Sequence, residues 1–187
     1  EHAAGAGAVA VVLDGEGSGT VVDRATHVEP FPGTRFRGEG EAATEGLGIT
    51  GYDRAAFTDV LAGAGADLDV APPTIDAAAV QAPDGKLPYR ATDALGVDAG
   101  TISAGLTVSD LGDAGAASAF LGMAATAAAD DGADRVLLAT WGSGAGADLF
   151  VLDGIGSVPV VAELAGGEGP ADGAVELTYP EYLRRRG

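Results

Sequence analysis

Short apolar runs bounded by glycine-rich turns alternate along this chain with segments whose apolar positions recur at helical spacing. Gly7 to Leu13 (GAVAVVL) is one such run and predicts a buried strand. The turn Gly15-Glu16-Gly17-Ser18-Gly19 follows, and Thr20 to Glu29 predicts a second strand, so an antiparallel hairpin is expected. Pro30 to Gly51 is rich in Gly, Pro and charge, with Arg35 and Arg37 near Phe31 and Phe36, and predicts a long loop. Between Tyr52 and about Asp67, the residues Ala56, Phe57, Val60, Leu61 and Ala64 fall on one face of a helix. Asp76 to Gln81 predicts a strand, and Leu87 to Leu95 a short helix stopped by Gly96. Thr101 to Val108 reads as a connector or short strand, and Ala114 to Asp130 as an alanine-rich helix. Two further strands, Arg135 to Trp141 and Asp148 to Asp153, are separated by Gly142-Ser143-Gly144-Ala145-Gly146. The tail holds Val158 to Leu164, Ala174 to Tyr179 and a basic closing turn, Arg184-Arg185-Arg186. The order is mixed, β-β-α-β-α-α-β-β, which points to a layered α/β fold with helices on the faces of its sheet.

Composition narrows this picture. The 187 residues are 47% hydrophobic, enough for one domain, and that share is mostly Ala and Val, so the core is expected to be built from small side chains. No apolar run approaches the roughly 18 to 20 residues that span a bilayer. Ala3 to Leu13 is too short, and lacks the basic flank, for a signal peptide. The chain opens on Glu1 and His2 at the entry to a predicted strand, and a domain excised from a longer protein is expected.

The formal charge is −18, from 28 acidic and 10 basic residues, and Lys86 is the sole lysine. Such a surface repels nucleic acid phosphates and anionic lipid, so neither is an expected partner. An acidic, lysine-poor chain still apolar enough to fold is expected in the salt-accumulating cytoplasm of a halophile. Molar salt there shrinks the Debye length to roughly 3 Å and screens self-repulsion. The absence of cysteine excludes disulfides, thiolate metal sites and cysteine catalysis within the chain. His2 and His27 are isolated and form no metal-binding spacing.

The glycine loop at 142–146 superficially suggests a phosphate or dinucleotide loop. Such loops open onto a helix N-terminus, whereas this one leads into the strand-like DLFVLD, so a hairpin that needs glycine for its φ angles is expected instead. The serines lie outside any G-x-S-x-G nucleophile elbow. Paired carboxylates are unremarkable in so acidic a chain, and Pro83-Asp84-Gly85-Lys86 is by composition a turn.

Four segments in sequence carry more than their separate signals: VQAPDGKLPYRATDALG, VSDLGDAGAASAFLGMAA, DRVLLATWGSGAGADLFVLDG and LTYPEYLRRRG. Together with the opening GAGAVAVVLDG, this series resembles the C-terminal half of archaeal-type 3-hydroxy-3-methylglutaryl-CoA synthases and, more distantly, the type III 3-oxoacyl-ACP synthases. The resemblance covers nearly all of the chain and implies a thiolase-like half: a mixed five-stranded sheet with helices on both faces, here a single domain over residues 1–187. It implies an acyl-CoA condensing activity whose nucleophilic Cys lies in an N-terminal half, with acyl-CoA as substrate and no cofactor. It also implies that the C-terminal half supplies a His and an Asn that polarise the thioester and stabilise the oxyanion. At those positions stand Gln81 and Asp113, so the catalytic carry-over departs from the pattern at both.

Pro83, Gly85, Lys86, Gly112, Ala117 and Ser118 match the scaffold of that site, and Gly142, Ser143, Gly144 and Gly146 match its glycine loop. Lys86 is either a contact to an acyl-CoA phosphate or a solvated turn lysine. Two functions remain open: half of a condensing enzyme that is inactive alone, or a non-catalytic thiolase-like domain for acyl-CoA binding, dimerisation or scaffolding. The partners implied are the N-terminal half, a second copy in a homodimer, and a zinc-ribbon/OB-fold protein that positions CoA. Arg184 to Arg186 are a junction to such a module or a solubilising end.

Overall fold

The computed structural model describes residues 5, 7–31, 35–43, 45–46, 48–81, 83–129, 132–142, 145–160 and 177–186. Its strands are β1 (Thr20–Val28), β2 (Arg35–Phe36), β3 (Glu45–Gly46), β4 (Ala77–Val80), β5 (Val136–Gly142) and β6 (Gly146–Asp153). Its helices are α1 (Thr50–Ala66), α2 (Ala91–Leu95), α3 (Ala99–Ala104), α4 (Val108–Leu111), α5 (Ser118–Ala128) and α6 (Tyr179–Arg186). Four strands form a mixed sheet in the order β1-β6-β5-β4, with β4 parallel to β5 and the other pairs antiparallel. β2 and β3 pair separately as a two-residue ribbon inside the stretch expected to be loop throughout. No helix among the described residues is long and apolar enough to cross a membrane.

Every residue of β4 is buried, which a strand achieves only when both faces of its sheet are covered. Successive side chains point to opposite faces. Ala78 and Val80 therefore join Leu137, Ala139, Leu149 and Val151 beneath α1, while Ala77 and Ala79 join Val136 and Leu138 beneath α5. The buried side of α1 is Ala56, Phe57, Val60, Leu61 and Ala64, the five positions that the apolar spacing predicts. Of these, Phe57, Val60 and Leu61 are fully buried, worth roughly 1.5–3 kcal/mol each relative to exposure. Asp98 caps α3 by accepting the Thr101 N–H at 2.7 Å, and Gly96 ends α2 at φ +68°.

On the α5 face, small side chains let backbones meet. A Cβ added to Gly122 would lie 2.1 Å from the Gly105 carbonyl oxygen, and one added to Gly105 would lie 2.5 Å from that of Ala78. The turn after α3 is thus held between α5 and β4 with no room for a methyl group.

Two ionic features tie the rim together. Arg135, just before β5, makes a bidentate pair with Asp153 at the end of β6, at 2.6 and 2.7 Å. Asp23 on β1 accepts the backbone N–H groups of Val70 at 2.9 Å and Asp69 at 2.7 Å, fixing the segment after α1. The Arg135 hydrogen bond holds the Asp153 carboxyl below its ordinary value, and the Val70 N–H does so chiefly for Asp23.

Several expectations need correction. Gly7 to Leu13 is neither a strand nor buried: Val12 and Leu13 are 88% and 87% exposed. The Gly5 N–H donates to the Asp113 carbonyl at 2.8 Å, and Gly7 lies against Leu121 of α5. The segment thus starts beside α5 and the turn before it, and β1 pairs with β6. Four strands of the mixed sheet lie among the described residues. Thr101 to Val108 contains no strand, because the Asp98 cap starts a helix there. The basic closing turn is part of α6, stabilised at its start by Glu181 accepting from Thr178. The 142–146 loop does join an antiparallel pair, but the positive φ among its described residues belongs to Ala145, at +60°, and not to Gly142 or Gly146. The tail segments Val158 to Leu164 and Ala174 to Tyr179 fall largely outside the described residues.

Two predictions follow from this packing. Gly122→Ala, despite its better helix propensity, is expected to lose about 1–3 kcal/mol in urea denaturation, because the added methyl meets backbone. Gly51→Ala, in open space on α1, is expected to gain about 0.5–1 kcal/mol. Because Asp153 and Asp23 titrate lower when folded, their stabilisation is complete at neutral pH and lost as pH falls through the folded values. Asp153→Asn is therefore expected to lower the thermal midpoint at pH 7 and to shrink the midpoint's further fall on acidification below the usual carboxylate range.

Candidate functional site

Gln81 and Asp113 come from distant parts of the sequence and meet at one residue, Gly115. Gln81 follows β4 and extends its pairing, with its N–H donating to Ala139 O at 2.9 Å. Its side chain, 8% exposed, turns toward the start of α5, and Nε2 donates to the Gly115 carbonyl. Asp113 follows Gly112, whose φ of +73° breaks the chain away from α4. Asp113 Oδ1 accepts the Gly115 N–H at 2.8 Å, closing an Asx turn, and lies 3.4 Å from Ser118 Oγ. Buried Ser118 also accepts the Ala114 N–H at 3.2 Å. One side chain thus takes the carbonyl of Gly115 and the other its N–H.

Lys86 lies in a different place. Asp84 accepts the backbone N–H groups of Lys86 and Leu87, both at 2.7 Å, and so opens the 3-10 turn Leu87–Arg90. Pro83, Asp84 and Lys86 reach a cleft of about 750 Å³ that is closed on other sides by the first turn of α1, Gly46 and Trp141. Trp141, at the end of β5, is held edge-on against Phe57 with ring centroids 5.6 Å apart. Arg54 of α1 and Arg90 complete a set of three cations with Lys86, and none of the three has an ion pair among the described residues. Two residues of its lining, Asp53 and Trp141, each carry a polar atom closed off from solvent, Oδ1 and Nε1, that has no hydrogen-bond partner. Such a group costs about 1–3 kcal/mol while it stays unpaired.

The expected site residues therefore divide. Gln81 and Asp113 come together, with Ser118, at Gly115. Lys86 stands in the cleft, which Gln81 does not line. Gly142 and Gly146 pair across the hairpin beside Trp141 without lining the cleft, while Ser143 and Gly144 lie outside the described residues. Arg54, Arg90, Asp53 and Trp141 were not singled out by sequence. The Lys86–Arg90 spacing of four was a usable signal for one of them; only the tertiary fold brings α1 and β5 to the same place. Among the described residues no three His, Asp or Glu side chains gather as metal ligands.

The mixed sheet and its helices define a thiolase-like domain. PKS-I from the brown alga Ectocarpus siliculosus shares this fold, with a TM-score of 0.50 at 15% identity, covering 72% of this chain and 39% of that one. More particularly, the chain is hydroxymethylglutaryl-CoA synthase-like. It is 30% identical over 195 residues to the hydroxymethylglutaryl-CoA synthase of Aeropyrum pernix, an alignment that covers 100% of this chain and 53% of that protein. The corresponding protein of Methanosarcina mazei is 33% identical over 127 residues, 64% of this chain and 35% of its own length. The chain thus spans about a third to a half of the curated relatives it matches. No family model matches it.

Gln81→Met keeps the side-chain length but removes the donor to Gly115. It is expected to lower stability by about 1 kcal/mol in urea denaturation, with faster amide exchange confined to residues around 113–118.

Proposed function

We propose that this chain is the C-terminal part of an acyl-CoA condensing enzyme of the hydroxymethylglutaryl-CoA synthase kind, and that it binds the acyl-CoA without performing the chemical step alone. The similarity along the whole chain to the Aeropyrum pernix synthase carries this reading. The chain holds no cysteine, so the acyl-accepting thiolate would come from an N-terminal half. Gln81 stands where the resemblance implies His, and an amide takes up no proton near neutral pH. Asp113 stands where it implies Asn. An ionised carboxylate only accepts hydrogen bonds, so it opposes negative charge growing on a thioester oxygen. The unpaired Arg54, Lys86 and Arg90 suit the phosphates of CoA, in a chain whose net charge of −18 otherwise repels them. A homodimer and a zinc-ribbon/OB-fold partner that positions CoA belong to the same proposal.

A second reading, a thiolase-like domain with no catalytic role, is favoured by the way Gln81 and Asp113 both engage the backbone of Gly115. Acyl transfer from labelled acetyl-CoA separates the two. The chain alone is expected to take up no label. Combined with a cysteine-bearing N-terminal half, it is expected to support thiolate labelling, with condensation rising at least tenfold in the Gln81→His/Asp113→Asn double variant. Labelling that never occurs in the combined protein, or condensation that the double variant leaves unchanged, sinks the enzymatic reading.

A further inference from the structure

The geometry points to Ala145 as a positioning residue. Held in a left-handed conformation by its burial, it fixes the end of the β5–β6 hairpin and, through it, the Trp141 wall of the cleft before a ligand arrives. This rests on the acyl-CoA reading above and goes further, because it names a residue outside the cleft lining that sets the affinity.

Among the described residues Ala145 is the one non-glycine residue with a positive φ, +60°. An L-residue avoids that region because its Cβ crowds the following carbonyl oxygen, and glycine escapes the penalty. The setting calls for glycine. Gly142 and Gly146 are the last pair of the β5–β6 ladder, so residues 143–145 make a three-residue connection. Such connections commonly end on a left-handed residue. The sequence places glycine at 142, 144 and 146 but alanine at 145, the position whose conformation least suits a side chain.

Burial and two hydrogen bonds hold it there. Ala145 is fully buried, in the core it shares with Phe57, Leu149 and Val151 beneath α1. Its N–H donates to the Gly142 carbonyl at 3.1 Å, and its own carbonyl accepts the Glu29 N–H at 2.9 Å. Glu29 is braced in turn: its carboxylate lies 2.9 Å from His27 Nε2, and the His27 ring packs on α1 at Gly63 with no room for a Cβ. The connection is therefore anchored both to the core and to the end of β1. Strain that persists because the surroundings over-determine it is a mark of preorganisation. What it organises is the residue before Gly142, since Trp141 packs against the same core and lines the cleft. Glycine at 145 would relax the φ and remove the anchoring methyl group. The hairpin end would then gain conformations in which Trp141 is displaced, and affinity would fall with the fraction of molecules that keep the competent one.

Trp141 is the only tryptophan of the chain, so its emission reports on this wall directly. CoA is titrated by calorimetry into the 187-residue chain and into its Ala145→Gly variant. Acrylamide quenching of Trp141, amide exchange at Gly142 and Gly146, and urea midpoints are measured on both. Ala145→Gly is expected to bind CoA about fivefold more weakly, with stronger quenching and faster exchange at the hairpin end. Its urea midpoint is expected to move little, because relieved strain and lost methyl burial oppose each other. Ala64→Gly, which removes a methyl group from the same core on α1, is expected to lower the midpoint and leave affinity and quenching unchanged. Unaltered affinity and quenching in Ala145→Gly overturn the positioning role while CoA binding stands. A loss of affinity that Ala64→Gly matches overturns it too, since affinity then follows stability alone. If CoA gives no heat with the unsubstituted chain, the acyl-CoA reading fails and this inference with it.

Discussion

The closeness of three backbones over β4 governs where everything else lies. The Gly105 carbonyl meets Gly122 of α5, and Gly105 in turn meets the Ala78 carbonyl, so helix, turn and strand touch with no side chain between them. Larger residues there would push α5 outward, as interiors packed to crystal-like density yield little. Because α5 is seated so low, its N-terminal approach at 113–118 comes within hydrogen-bond reach of Gln81 at the end of β4. Beside that approach, Gly5 donates to the Asp113 carbonyl and Gly7 lies against Leu121. A packing constraint built from alanine and glycine thus brings the two parts of the candidate site together.

Charge works at a longer range. A net −18 spread over an 18.2 kDa chain opposes compaction, and the structure engages part of it locally. Asp23, Asp84, Asp98 and Asp113 each accept backbone N–H groups, and Asp153 holds Arg135. These bonds give each carboxylate a structural role at a turn or cap, where acidic side chains are well matched to unpaired N–H groups. Arg54, Lys86 and Arg90 are left without such partners, and they share a cleft. The contrast between acids used within the fold and cations left facing one cavity is what gives that cavity its meaning.

Much of this was legible in the sequence where a local pattern had one physical solution. The apolar spacing of α1 named its buried face residue by residue, and Gly96 marked the end of α2, because helical periodicity and a left-handed cap leave few alternatives. Gly7 to Leu13 was misread because an apolar run states only that a segment can be buried, and burial needs a partner surface that the run does not specify. The cleft was legible in one residue, Lys86. Asp53, Arg54 and Trp141 lie too far from it in sequence for any spacing to join them, and their polar atoms become informative only once burial is known.

The two halves of the site bear differently on function. At Gly115 the polar groups satisfy one another: Gln81 takes the carbonyl and Asp113 the N–H. Groups so engaged are committed to holding a turn, and recruiting them for a reacting thioester would first require breaking bonds that position α5. In the cleft the reverse holds, since Arg54, Lys86 and Arg90 line it with no ion pair among the described residues. On the proposed reading, recognition has therefore stayed in the cleft while the polar groups at Gly115 have turned to structure, which fits a domain that holds an acyl-CoA for chemistry performed elsewhere.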